Sequence, residues 1–133
     1  MPGPPAAAKD HQVVAVDTHV VLVPSPSGST PVPLPHSFTG VLDGALVATV
    51  TVGGQPAAVV GSTATNTPAH LPTPPGAAFQ RPPSNRGTVQ AGSATVTIGG
   101  KAAARAGDTA TTCNDPADLP AGTVVAAGTV MIG

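Results

Sequence analysis

Residues Thr49 to Gly61 read TVTVGGQPAAVVG, and residues Thr95 to Gly107 read TVTIGGKAAARAG, a match at a constant offset of 46. A third, truncated copy closes the chain. There Thr129-Val130-Met131-Ile132-Gly133 falls on Thr95 to Gly99, and Gly122-Thr123-Val124 echoes Gly87-Thr88-Val89. Self-similarity of this kind marks one supersecondary unit used several times. The unit reads as a hairpin. Thr49-Val50-Thr51-Val52 alternates polar and apolar residues at period two, so the two valines share one face. Gly53-Gly54 and Gly99-Gly100 can take positive φ at both central positions of a tight primed turn. Return strands are expected from Gln55 to Val60 and from Lys101 to Arg105.

Outward from the repeat, 133 residues allow a single domain, 1–133, with residues 1–12 set aside as a flexible or peripheral N-terminal segment. The chain holds 17 Pro and 16 Gly but only two Phe, no Tyr and no Trp, which by itself suggests low complexity. A net charge of -1 and a mean hydropathy of +0.23 argue against disorder, which pairs low hydrophobicity with high charge. The prolines concentrate in two connectors, Pro24 to Pro35 and Pro68 to Pro83, where fixed φ and missing donors favour extended or turning backbone. No stretch shows apolar spacing of 3.6. The fold expected is therefore all-β, a small domain of short hairpins with Pro-rich loops and almost no helix.

Large apolar side chains are few, and 18 of them are valine. So thin a core usually needs a covalent staple, a metal or a partner. Cys113 is the single cysteine, which excludes an intrachain disulfide. Five scattered basic residues and no aromatic platform give no nucleic-acid footprint. The N-terminus, MPGPPAAAKDHQVV, has no basic and apolar run of the signal-peptide kind, and no stretch is apolar enough to span a membrane.

Three of the four histidines share a setting. His19, His36 and His70 each stand where a valine-rich strand is expected to meet a proline-rich loop, and Cys113 occupies the comparable place after the second repeat. Repeat symmetry would bring His70 and Cys113 together near one pole. Three imidazoles and a thiolate make a closed tetrahedral set suited to structural zinc. The usual short ligand pairs are missing, so the plain alternative also stands: polar turn histidines and a small buried thiol. His11, in Lys9-Asp10-His11, fits that alternative best, although it could replace one of the ligands. An enzyme is not expected. All six acidic residues are Asp in turn-like contexts, no Glu is present to serve as a base, and neither a nucleophile elbow nor a phosphate loop occurs.

In combination, TV-x-IGG-K-x-AAR-x-GD and the terminal GTV-x-IG resemble the PAAR-repeat proteins, named for a Pro-Ala-Ala-Arg motif. Gln55-Pro56-Ala57-Ala58-Val59 and Lys101-Ala102-Ala103-Ala104-Arg105 each keep most of it, and Gly107-Asp108 keeps the glycine-aspartate. The segment Asn66 to Pro72, with Pro75-Gly76, Asn85-Arg86-Gly87 and Gly92-Ser93, looks like the PAAR-like branch associated with contractile injection systems. The resemblance implies a conical domain of pseudo-threefold repeats, one chain of which caps the blunt end of a trimeric spike of the valine-glycine-repeat or phage-tail type. It implies a piercing role at the target membrane, as in type VI secretion, and structural Zn2+ near the apex, carried onto His19, His36, His70 and Cys113. Val59 and Ser62 depart from the arginine and aspartate of the motif, so that arm's contacts are open. No fused effector is expected, and the missing signal with an unpaired cysteine suggests a cytoplasmic location before firing. Two other roles stay open: an adaptor that carries a separate effector, and a small zinc hydrolase. Val50, Val52, Val96, Ile98, Val130 and Ile132 are candidates for core or for the spike-binding base.

Overall fold

A computed structural model describes residues 3–133, and among them there is no helix, hence none long and apolar enough to cross a membrane. The strands in chain order are β1 (Gln12–Ser25), β2 (Gly28–Gly44), β3 (Val47–Val52), β4 (Gln55–Ala57), β5 (Thr63–Asn66), β6 (Ala78–Phe79), β7 (Arg86–Val89), β8 (Thr97–Ile98), β9 (Lys101–Ala102), β10 (Thr109–Thr112) and β11 (Leu119–Val125). The main sheet runs β11-β10-β7-β5-β2-β1-β6, and β11 also pairs with β1. Six strands thus close into a ring, with β6 added to the far end of β1. Closure removes the open edges that a small sheet would otherwise present.

The ring repeats itself three times. Val13 faces Gly40 across β1 and β2, Ala64 faces Gly87 across β5 and β7, and Ala110 faces Gly122 across β10 and β11. Between these pairs, Leu42 meets Ala64, Val89 meets Ala110, and Val124 meets Val13. All six apolar residues are buried. Glycine is needed because one ring, Phe38, lies against this layer: a Cβ on Gly40 would come within 2.6 Å of it, and one on Gly87 within 3.3 Å. One aromatic side chain therefore fills the middle of the barrel. That is how a chain so poor in aromatics still closes a core.

Below the barrel the threefold becomes a closed circuit of backbone bonds. Ala7 N–H donates to Ala104 O at 2.9 Å, Ala104 N–H to Ala58 O at 3.0 Å, and Ala58 N–H to Ala7 O at 3.0 Å. Three turns above it are also equivalent. The N–H of Ala8, Val59 and Arg105 donates to the side chain three residues on, which is His11 Nδ1, Ser62 Oγ and Asp108 Oδ2 respectively. The departures in the motif are thereby explained. Ser62 serves its arm as Asp108 serves the other, and without the aspartate no arginine is needed at Val59, whereas Arg105 pairs with Asp108 at 2.9 Å.

Residues 1–12 need correction in the part described. Ala6, Ala7 and Ala8 are buried, and Pro5-Ala6-Ala7-Ala8 is the third copy of the motif. Its hairpin is assembled from both ends of the chain: Ala6 N–H donates to Val130 O, Ile132 N–H to Pro4 O, and Pro5 bridges Met131. Met1 and Pro2 lie outside the described residues. The two continuous hairpins, β3 with β4 and β8 with β9, turn on Gly53-Gly54 and Gly99-Gly100 at positive φ throughout, as expected. Their return strands end early, at Ala57 and Ala102: Ala58 N–H donates to Ala7 O and Ala104 N–H to Ala58 O, both on neighbouring arms, while Ala103 N–H still bonds Val96 O of its own arm. Of the six apolar residues left undivided, Ile132 is buried, and Val52, Val96 and Ile98 pack against it with Ala6 and Ala103. Val50 and Val130 stay exposed, together with Met131.

The stretch from Pro24 to Pro35 is not a connector. It forms the outer half of the long β1-β2 hairpin, where Pro31, Pro33 and Pro35 face Leu22, Val20 and Thr18. On those three residues the backbone groups point away from β2: Thr18 N–H donates to Asn114 Oδ1, Val20 N–H to Asp115 Oδ2, and Leu22 O accepts from Ala77 N–H. The prolines thus occupy wide pairs, where the ladder asks for no donor. Their spacing of two is the reason a proline-rich run can be a strand.

Candidate metal centre

Beyond the barrel, β1 carries a buried alternation, Val13, Asp17, His19 and Val21, on its inward face. Asp17 lies opposite His36 of β2. The chain leaving β5 turns inward to His70, held by its N–H to Asn85 Oδ1 at 2.8 Å, and the chain leaving β10 delivers Cys113 at once. Two strand ends and one hairpin therefore meet at a single pole.

Asp17, His19, His70 and Cys113, all buried, each offer one donor atom, and these atoms lie within 4.8 Å of one another. His70 Nε2 is 3.0 Å from Asp17 Oδ2. The Cys113 thiol donates to that same oxygen at 3.5 Å and stands 3.6 Å from His19 Nε2. The other carboxylate oxygen accepts from the Thr112 hydroxyl at 2.6 Å. His19 Nδ1, though buried, has no hydrogen-bond partner among the described residues. Two imidazoles, a thiol and a carboxylate converging out of solvent are a donor set that can hold a metal ion, and their composition fits zinc among the common metals.

Electrostatics agrees with a site built for a cation. Burial, and after it the charge of Asp17, pushes the Cys113 thiol up to about 11, so without a cation the thiolate is disfavoured. Burial and then the neighbouring His70 lower His19, which keeps its imidazole neutral and able to ligate. Asp115 is held below the ordinary carboxylate range: burial opposes ionisation, but the Val20 N–H, the Arg81 guanidinium and His19 outweigh it.

His36 sits beside this cluster without turning a nitrogen into it. Its ring lies 5.5 Å from those of both His19 and His70. Its Nδ1–H donates to Leu34 O at 2.9 Å, and its Nε2 accepts from Thr73 N–H at 3.1 Å. His11 is not in the cluster and acts as the turn acceptor described above. Asp17 escaped sequence reasoning, yet its signal was there. A lone charge inside the valine-rich VVAVDTHVVLV, two residues before a histidine, must share that histidine's buried face.

Residues 80–133 match the family model described as PAAR motif. No curated protein matches the chain, and no solved structure does. The matched segment contains β7 to β11 and residues 129–133, that is, the arm built on Ala102-Ala103-Ala104-Arg105 and half of the split one. The remaining arm repeats it at the offset of 46 and joins it in the alanine circuit. With the match in one arm and the same unit recurring in the others, the chain carries a PAAR motif over residues 80–133.

Proposed function

We propose that the chain is the zinc-bearing tip of a contractile injection system, capping the blunt end of a trimeric spike and meeting the target membrane first when the spike is driven out. The observation that carries this reading is the backbone circuit through Ala7, Ala58 and Ala104. It gives one asymmetric chain a threefold face, which is what a single cap on a trimer requires. Around that face stand the three hairpin units, with Val50, Val130 and Met131 exposed as apolar contact surface. The donor cluster occupies the opposite pole.

The ligands of the proposed zinc are His19, His70 and Cys113, with His36 in the fourth place. His36 reaches it by giving up the Thr73 N–H, while its Nδ1–H stays on Leu34 O, the kind of outer bond that orients metal-bound imidazole. Asp17 is its rival for that place. When bound, zinc crosslinks the strand ends and contributes on the order of 10 kcal/mol, comparable with the whole stability of a small domain. The chain's own residues do the rest: Thr112 and Asn114 fix the Asp17 carboxylate, Asn85 fixes the loop of His70, and Phe79 packs on the rings of His19 and His36. The role is structural, because Asp17, the one carboxylate of the cluster, is already engaged by its neighbours.

Mixing the purified chain with a trimeric spike of the valine-glycine-repeat type tests the cap. One chain should co-elute per three spike chains, and indifference to any such spike refutes the reading. His36→Ala set against Asp17→Asn decides the fourth ligand by which of the two loses the metal.

A further inference from the structure

His19 is the most enclosed imidazole of the cluster, and its Nδ1 has no hydrogen-bond partner among the described residues. The group nearest to satisfying it is Asp115 Oδ2, at 3.6 Å. That separation is roughly 0.5 Å beyond an ordinary N–H···O bond. Asp115 is itself tightly held. Its Oδ2 accepts from Val20 N–H at 2.9 Å, its Oδ1 from Arg81 Nη2 at 2.8 Å, and its own N–H donates to Thr18 O at 2.8 Å. Arg81 Nη2 also reaches Asn114 O at 3.2 Å and Pro116 O at 2.9 Å, so the guanidinium straps the segment that follows Cys113. A cavity of about 240 Å³ opens here, lined by His19, Arg81, Cys113 and Asp115.

We propose that Asp115 is the positioning residue of the metal centre: it takes the Nδ1–H of His19, thereby aiming Nε2 at Cys113, and Arg81 clamps Asp115 in place from the rim of the cavity. The assignment rests on the metal reading above. A carboxylate on the far nitrogen fixes both the tautomer and the plane of a ligating imidazole and raises its basicity, and losing such a partner typically weakens metal binding about 10- to 100-fold. The clamp explains why an arginine so exposed ends on three acceptors of one short segment. It also accounts for a buried acid placed beside a buried histidine yet outside the donor cluster.

The test is zinc affinity of the full chain by competition with a chromophoric chelator, for wild type, Asp115→Asn and Arg81→Met. Asparagine keeps an acceptor for Val20 N–H and removes the charge, so the metal-free variant should melt within a few degrees of wild type while binding zinc about 10- to 100-fold more weakly. Arg81→Met, altered at an exposed side chain, should lose several-fold and serves as the test if Asp115→Asn does not fold. In the cobalt-loaded protein the thiolate charge-transfer band should persist in both variants, because Cys113 still ligates, while the downfield His19 Nδ1–H resonance of the zinc form should vanish in Asp115→Asn. Wild-type affinity in both variants overturns the proposal, as does a loss of affinity no larger than the loss of metal-free stability. A wild-type chain that takes up no zinc overturns the metal reading itself.

Discussion

Cys113→Ser separates the metal from the packing. In the metal-free protein the exchange removes one weak S–H donor, 3.5 Å from Asp17 Oδ2, and supplies a hydroxyl of similar size that the same oxygen can accept. The cost should be about 1 kcal/mol. For a chain of this length that is a shift of about 4 °C in melting temperature. In the loaded protein the variant loses the only thiolate, and with it most of a contribution on the order of 10 kcal/mol. Wild type should therefore melt roughly 30 °C higher with zinc than in excess chelator. In Cys113→Ser the two curves should fall within a few degrees of each other. Calorimetric or circular-dichroism melts of both proteins, with and without chelator at one ionic strength, give the difference of differences, in which any general folding defect cancels. Elemental analysis after gel filtration supplies the stoichiometry. The reasoning fails if chelator leaves the wild-type melt unchanged, or if the variant retains one zinc and the full gap.

Other sites test the frame around the donor cluster. Phe38→Ala empties the middle of the barrel and should cost about 3–5 kcal/mol in denaturant unfolding, with no loss of zinc per folded chain. Ser62→Ala leaves the buried Val59 N–H without its acceptor and should cost about 1–2 kcal/mol, and Asp108→Ala should do the same at Arg105. A neutral result at Ser62 would undo the equivalence of the three turns. Gly100→Ala meets open space at φ +82, so its cost is backbone strain alone, about 1 kcal/mol. Deleting residues 1–8 removes Ala6, Ala7 and Ala8 and opens the alanine circuit, which should abolish cooperative melting.

The hairpins were legible because their turns are local: two glycines at positive φ write themselves into the sequence. Assembly of the barrel was not, since pairs such as Val13 with Val124 join residues a hundred positions apart and leave no short-range mark. The N-terminal arm was missed for a related reason. PPAAAKDH lacks the preceding strand and the Gly-Gly turn that identified the other copies, because its strand comes from the opposite end of the chain. Prolines misled in the long hairpin, where their period of two, rather than their number, carries the information. At the pole, the junctions of valine-rich and proline-rich sequence pointed to His19, His70 and Cys113, whose side chains converge, although His19 lies inside β1 and His36 inside β2 and neither at a strand end. It passed over Asp17 because a charge was looked for in turns, not on the inward face of a strand.

Threefold symmetry holds at one end of this molecule and fails at the other, and the two facts serve one design. At the base each arm contributes an alanine to the circuit and a turn with the same bond, so His11, Ser62 and Asp108 can differ in chemistry without altering geometry. Toward the pole the equivalent positions stop matching: Val16 of β1 is exposed, Thr67 follows β5, and Cys113 follows β10 into the cluster. A trimer of identical chains would place three copies of one residue around its axis and could not offer one ion a mixed set of imidazole, thiolate and carboxylate. Three arms fused in a single chain can diverge one by one. The same covalent continuity that keeps the base threefold thus leaves the far end free to bring together one asymmetric set of donors, Asp17, His19, His70 and Cys113.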